Sequence, residues 1–184
     1  MNHYEIQLLG KDSLLKKSIA IDRHDQSIDE LIQAMWKIMR QLKGAGLAAP
    51  QVGVNKRLLV FGFENNERYP AEQPILETVL INPEYEVIGS DTNVAWEGCL
   101  SVPHLRAQVE RYTNIRYWGY NQQWQRIERV VSGFHARLIQ HEIDHLDGML
   151  LLDSVRDLSN LSYESVITKA PEPDYANWYL KVFA

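Results

Sequence analysis

The segment His141-Glu142-Ile143-Asp144-His145 gathers the residue types of metal chemistry into little more than one helical turn. Two histidines four positions apart share one face of an α-helix, with Cβ atoms roughly 6 Å apart, so both imidazoles can reach one ion. Glu142, beside the first of them, can hold a proton acceptor next to a water on that ion. So short a pattern also arises by chance, and two exposed helix histidines are the plain alternative. A hydrolytic site of this type takes three protein ligands and leaves the fourth place to water, so another ligand must come from elsewhere in the chain.

Cys99, in Trp96-Glu97-Gly98-Cys99-Leu100-Ser101-Val102-Pro103, is the candidate. A lone cysteine is in general more often a small buried hydrophobe than a ligand, and both readings stand at this point. A third segment, Gly44-Ala45-Gly46-Leu47-Ala48-Ala49-Pro50-Gln51, pairs small residues with an amide. Small residues let a backbone approach a ligand closely, and the Gln51 side chain offers an N–H to an oxyanion. Read by itself the same stretch is a helix C-cap followed by a tight turn.

The elements that must position these groups follow from periodicity. Ile28, Leu31, Ile32, Met35, Met39 and Leu42 recur at helical spacing, which predicts a helix over about 28–43. Ser27 and Glu30 form a capping box on paper, Gly44 is the expected stop, and the Met and Trp36 face reads as core packing. Strands are expected at Arg57–Phe63, at Thr78–Ile81 and Glu84–Ile88 around Asn82-Pro83, at Ala107–Tyr120 and at Trp124–Val131, with Asn121-Gln122-Gln123 turning between the last two. A second helix should start at a Ser132 cap, run through His145 and stop near Gly148. On it Phe134, Leu138, His141, His145 and, at its edge, Glu142 share a side, so an apolar wall continues into the paired imidazoles. Met149–Leu152 reads as a short buried strand, and Tyr175–Phe183 as a strand or short helix beyond Pro171-Glu172-Pro173. The whole is α+β, with mostly antiparallel sheets wrapped around one metal-binding helix.

Composition narrows the function classes. The 184 residues are 45% hydrophobic and 23% charged, ordinary for a soluble globular protein, and suit one domain with a short appendage. A net charge of −5 and a pI near 5.7 argue against general affinity for nucleic acid or an anionic membrane. No apolar run approaches the roughly 18 residues that span a bilayer. The opening MNHYEIQLLGKDSLLKKSIAID has no signal-peptide core, and Glu5 and Asp12 fit a transit peptide poorly. One cysteine makes no intrachain disulfide, so the expected setting is a reducing cytoplasm.

Taken together and in order, GAGLAAPQ, EGCLS and HEIDH resemble the three signature stretches of the peptide deformylase family, GxGLAAxQ, EGCLS and HExxH. The resemblance covers roughly residues 4–153, including Leu9-Gly10-Lys11-Asp12-Ser13-Leu14-Leu15, so a catalytic domain over 1–155 and a tail over 156–184 are expected. It implies a metal-dependent hydrolase that removes the formyl group from the formylmethionine of nascent polypeptides and releases formate. The implied metal ligands are Cys99, His141 and His145. Glu142 is the implied proton carrier, and the oxyanion falls to the Gln51 side chain and the Leu100 backbone N–H. By analogy the methionine side chain meets Ala45, Phe134 and Leu138 with Glu97 nearby, while the Gly46 backbone registers the peptide as an added strand. One divalent ion per chain is implied, Fe2+ in the native enzyme, with Zn2+, Ni2+ or Co2+ able to occupy the same ligands; an iron–thiolate site would be oxygen-sensitive. The expected partners are N-formylmethionyl nascent peptides and, transiently, the ribosome.

Asp144 reads either as a partner for Arg111 behind the ligands or as a solvated surface carboxylate. The chain departs from many relatives after EGCLS: Val102-Pro103-His104-Leu105-Arg106-Ala107 has His104 and Ala107 where glycines are frequent, which puts the loop path there in question. His3, His24 and His135 receive no role. Two other readings compete. A zinc endopeptidase would need a ligand downstream of His145, and none is well spaced. A non-catalytic binder of nascent N-termini would have no need of Glu142.

Overall fold

The strand β2 (Leu58–Phe63) is apolar at nearly every position, because both of its faces are covered. Leu58 and Val60 pack toward helix α1 (Ile28–Gln41), while Leu59, Phe61 and Phe63 pack toward helix α2 (Gly133–Leu146). The structure, a computed structural model, describes residues 4–25 and 27–168. β2 lies second in an antiparallel five-stranded sheet ordered β1 (Gly46–Ala48), β2, β3 (Ile75–Val87), β6 (Asn114–Tyr120), β7 (Arg126–Ser132). A second sheet, also antiparallel, is ordered β4 (Thr92–Cys99), β5 (Val102–Tyr112), β8 (Leu161–Tyr163), and a short helix α3 (Glu164–Thr168) follows. Helix α2 runs between the two sheets. Ten of its fourteen residues are buried, so polar side chains on it must find partners inside the protein. Gln140 clips it to the second sheet, donating to the Tyr112 carbonyl at 2.9 Å and accepting from the Tyr112 N–H at 3.1 Å.

The expected α+β architecture around one helix is what the chain adopts, and several local expectations need correction. The Ser27–Glu30 capping box does not form. Ser27 has helical dihedrals and no capping bond, and its hydroxyl goes instead to Asp25 (2.6 Å) and Lys56 (2.8 Å). Helix α1 ends at Gln41, and the left-handed residue after it is Lys43 (φ 54°) rather than Gly44. Lys43 N–H bonds Arg40 O and Gly44 N–H bonds Met39 O, the paired bonds of a Schellman ending. Gly44 serves a different need, since a Cβ there would lie 2.8 Å from Leu100.

The two expected strands around Asn82-Pro83 are one strand, β3, with a bulge between Ile81 and Glu84 and Asn82 at φ 50°. Ala107–Tyr120 is two strands in different sheets, divided at Thr113, whose N–H bonds Asp91 O. Strand β4, missing from the expectation, begins with exposed polar residues that give no burial signal. Met149–Leu152 is not a strand: Leu151–Ser154 makes a 3₁₀ turn, held by Asp153 accepting from the Leu150 N–H at 2.7 Å. The turn after Tyr120 is as expected, with Asn121 Oδ1 accepting from the Gln123 and Gln125 N–H groups. Tyr175–Phe183 lies outside the described residues.

Candidate metal centre

Cys99 ends β4, and His141 and His145 stand one turn apart on α2, so the packing of helix against sheet brings the thiol to the imidazoles. Their ligand atoms lie within 4.8 Å of one another, and all three residues are buried. Cys99 Sγ is 3.2 Å from His145 Nε2, and the two rings meet edge to face with centroids 5.0 Å apart. Burial alone would raise the Cys99 thiol; the neighbouring imidazoles instead hold it well below its usual range, in the thiolate form that binds metal. A thiolate with two imidazoles is a donor set for a single borderline divalent ion, leaving a net charge of about +1. Converging, buried donors of that chemistry fit such an ion.

His141 is oriented from behind. Its Nδ1 lies 2.9 Å from Glu97 Oε2, which turns Nε2 toward the cluster. Glu97 is itself clamped: Arg111 bonds both oxygens (3.0 and 3.1 Å) and Arg137 bonds Oε1 at 2.6 Å. Although burial raises the Glu97 carboxyl, His141 and the Arg111 guanidinium lower it to about 2. Arg111 also donates to Asp144 at 2.5 Å, the paired rather than the solvated reading of that carboxylate, and Arg137 donates to the Val109 and Asn93 carbonyls. Glu97 therefore borders the cleft with its carboxylate already committed to its neighbours.

Glu142 projects from the same helix toward β1. A Cβ added to Gly46 would lie 2.6 Å from Glu142 Oε1, so only glycine leaves room for this carboxylate. Its Oε2 is buried without a hydrogen-bond partner among the described residues. Burial is the chief reason the Glu142 carboxyl is pushed up to about 7, against the opposing pull of His141 and His145. A group at that value near neutral pH can both accept and release a proton. Gln51, buried in the 3₁₀ turn Ala49–Val52, accepts from the Ala48 N–H through Oε1 at 2.8 Å. That bond fixes which way the amide faces: Nε2 points to Cys99 Sγ (3.7 Å) and Ser101 Oγ (3.3 Å).

Leu100 sits in the turn between β4 and β5 and borders one cleft together with Ala45, Gly46, Glu97, Phe134 and Leu138. Arg137, Tyr69 and Arg68 also line that wall, and none of them stands out in the sequence motifs. Arg137 carried a signal, since a charged residue four positions before His141 shares its face. Tyr69 packs against Phe134 with ring planes tilted by 47° and centroids 4.7 Å apart, but it comes from an irregular segment with no periodicity to read. His104 and Ala107 fall inside β5. His104 takes φ 66°, a left-handed conformation, and Ala107 is fully buried opposite Glu97.

A single-ion thiolate–imidazole cluster with an adjacent buried carboxylate, set on a helix between antiparallel sheets, defines a metal-dependent hydrolase. Comparison with known proteins makes this specific. The sequence matches the polypeptide deformylase family over residues 3–161. It is 44% identical over 172 residues to peptide deformylase 1 of Bordetella pertussis, covering 93% of this chain and 98% of that one. It is 42% identical over 160 residues to peptide deformylase 2 of Ralstonia nicotianae, covering 86% and 90%. The fold is similar to the class I type b peptide deformylase of Acinetobacter baumannii bound to Met-Ala-Ser, with a TM-score of 0.78 at 34% identity over 82% of this chain and 97% of that one. The deformylase of Synechococcus elongatus in complex with actinonin gives a TM-score of 0.75 at 34% identity, covering 85% and 83%. The chain belongs to the polypeptide deformylase family and is an enzyme, an amidohydrolase of N-terminal formyl groups.

Proposed function

We propose that Cys99, His141 and His145 hold one divalent ion, Fe2+ in the native enzyme, and that Glu142 carries the proton in the hydrolysis of formylmethionyl peptides. When bound, the ion supplies Lewis-acid activation of water and of the formyl carbonyl. Glu142 takes the proton from the attacking water at Oε2, which has no partner among the described residues, and delivers it to the methionine nitrogen as the C–N bond breaks, giving formate and a free amine. Gln51 Nε2 and the Leu100 backbone N–H serve the oxyanion, which requires the Gln51 amide to stay locked by the Ala48 N–H. Ala45, Phe134 and Leu138 take the methionine side chain, and the Gly46 backbone registers the peptide beside β1. The small formyl group passes where a larger acyl group meets the Gly46–Glu142 contact, which separates this substrate from ordinary peptide bonds.

The observation that carries this reading is the buried Glu142 carboxyl, its Oε2 without a hydrogen-bond partner among the described residues, on the same helix as the two imidazoles that converge with Cys99. Protein loaded anaerobically with Fe2+ is expected to release formate from formyl-Met peptides. Glu142→Ala is expected to lower kcat by about 10²–10⁴-fold while keeping its metal. Wild-type protein that is fully loaded and releases no formate would overturn the proposal. An iron–thiolate site calls for a reducing compartment, which supports the bacterial cytoplasm as its location. Among the described residues no helix is long and apolar enough to cross a membrane. A substrate that exists only as a nascent N-terminus supports a transient encounter with the ribosome. Residues 1–155 contain every proposed site residue and are the proposed catalytic unit, with residues 156–184 as its appendage.

A further inference from the structure

We infer that Arg68 forms an anion-recognising subsite at the mouth of the cleft, favouring formylated peptides that carry a carboxylate shortly after the methionine. The inference rests on the deformylase reading above. Arg68 lies in the segment 64–74 between β2 and β3, and its backbone is anchored. Asn66, buried beneath it, donates to the carbonyls of Lys43 (3.3 Å) and Gly44 (3.2 Å) and accepts from the Arg68 N–H at 2.9 Å. The segment is thereby tied to the stretch that carries Ala45 and Gly46. From this anchor the Arg68 side chain turns into the cleft wall beside Gly98.

Two guanidiniums flank that glycine. A Cβ built on Gly98 would lie 2.9 Å from Arg68 Nη2 and 3.0 Å from Arg106 Cζ. Arg106 is satisfied: Glu164 of α3 accepts from its Nε at 2.9 Å and also from Nη2, and Tyr69 Oη accepts from Nη1 at 3.2 Å. Arg68 differs, because its guanidinium has no hydrogen-bond or ion-pair partner among the described residues. The acidic residues in the cleft wall do not supply one. Glu97 is taken up by Arg111, Arg137 and His141, and Glu142 faces Gly46. Among the described residues Arg68 is thus a cation in the cleft wall without a partner, and the inference places it beside the residues that follow the methionine. A planar guanidinium in that position matches a carboxylate. The carboxylate can be an acidic side chain at the second or third residue, or the terminal carboxylate of a short peptide.

The test uses the Fe2+-loaded enzyme and amidated formyl-Met-Asp-Ala and formyl-Met-Ala-Asp, each against its Asn and Lys counterparts. Formyl-Met-Ala-Ala as free acid and as amide separates the terminal carboxylate from the side chain. At least one carboxylate-bearing peptide should exceed its neutral counterpart by about 3- to 10-fold in kcat/KM, through KM, and the advantage should shrink at high salt. In Arg68→Gln the ratio should fall to about 1, and Arg68→Lys should restore part of it. Ratios near 1 in the wild type, or a preference that survives Arg68→Gln, overturn the inference while leaving deformylation standing. Failure to turn over any peptide removes both.

Discussion

Glu97 spends both carboxylate oxygens on three neighbours, and His141 depends on that arrangement for its tautomer. Replacing Glu97 by Gln keeps the shape, but one oxygen becomes an N–H₂ facing donors, and a guanidinium is left unpaired in a buried site. The expected outcome is a metal affinity weaker by about 10–100-fold, read by chelator competition. Affinity equal to wild type would show that His141 needs no support from behind. Gly46 sets a second condition, because any Cβ there enters the space of Glu142. Gly46→Ala should keep its ion but lose kcat by on the order of 10²-fold, since the base is displaced from its working position. Undiminished formate release by Gly46→Ala would contradict this. At this scale the sequence was legible where the chemistry is local: His141, Glu142 and His145 stand in one turn, and their spacing alone aligns them. The clamp on Glu97 was not, because Arg111 and Arg137 arrive from 14 and 40 residues away, across a register that periodicity does not reveal.

Elements were legible where one face is buried and illegible where context decides. Helix α1 declares itself through its apolar stripe, yet its cap differs because Asp25 and Lys56 compete for the Ser27 hydroxyl. Strands β5 and β6 read as one run because both are rich in alternating apolar residues, and only the sheet topology separates them. Within β5 the backbone turns left-handed at His104, at φ 66°, a region that histidine tolerates better than most side chains. A comparison of His104→Ala with His104→Gly isolates that strain, as both lose the imidazole. The alanine variant should be less stable by about 1 kcal/mol, a difference of roughly 2–4 °C in Tm for a chain of this size. If the two melt together, the left-handed assignment at this position is wrong.

At the scale of the whole molecule, α2 is held between two sheets, and the end away from the metal cluster carries a group that links folding to pH. His135 packs against Phe61 and Tyr117, with ring centroids 5.7 Å from each. Arg129 approaches the same place, bonding Tyr117 Oη at 3.1 Å and Thr78 Oγ1 at 3.0 Å. Burial first, and the Arg129 charge second, lower the His135 imidazole from its ordinary 6.5 to about 4. The unfolded chain then binds a proton below pH 6.5 that the folded chain refuses until about pH 4. Stability attributable to this group is therefore intact above 6.5 and is lost as pH falls toward 4. Its partial exposure reduces the effect, to about 1–2 kcal/mol after allowance for solvent screening. Urea denaturation of metal-free wild type and His135→Gln, at neutral pH and again near the lower limit, separates this contribution from the carboxylates and the ligand cluster, which both proteins share. The stability gap between them should shift against the wild type by that amount on acidification. A gap that stays constant across the range would mean that the imidazole is protonated in the fold as readily as in water, and that the aromatic pocket around it does not exclude charge.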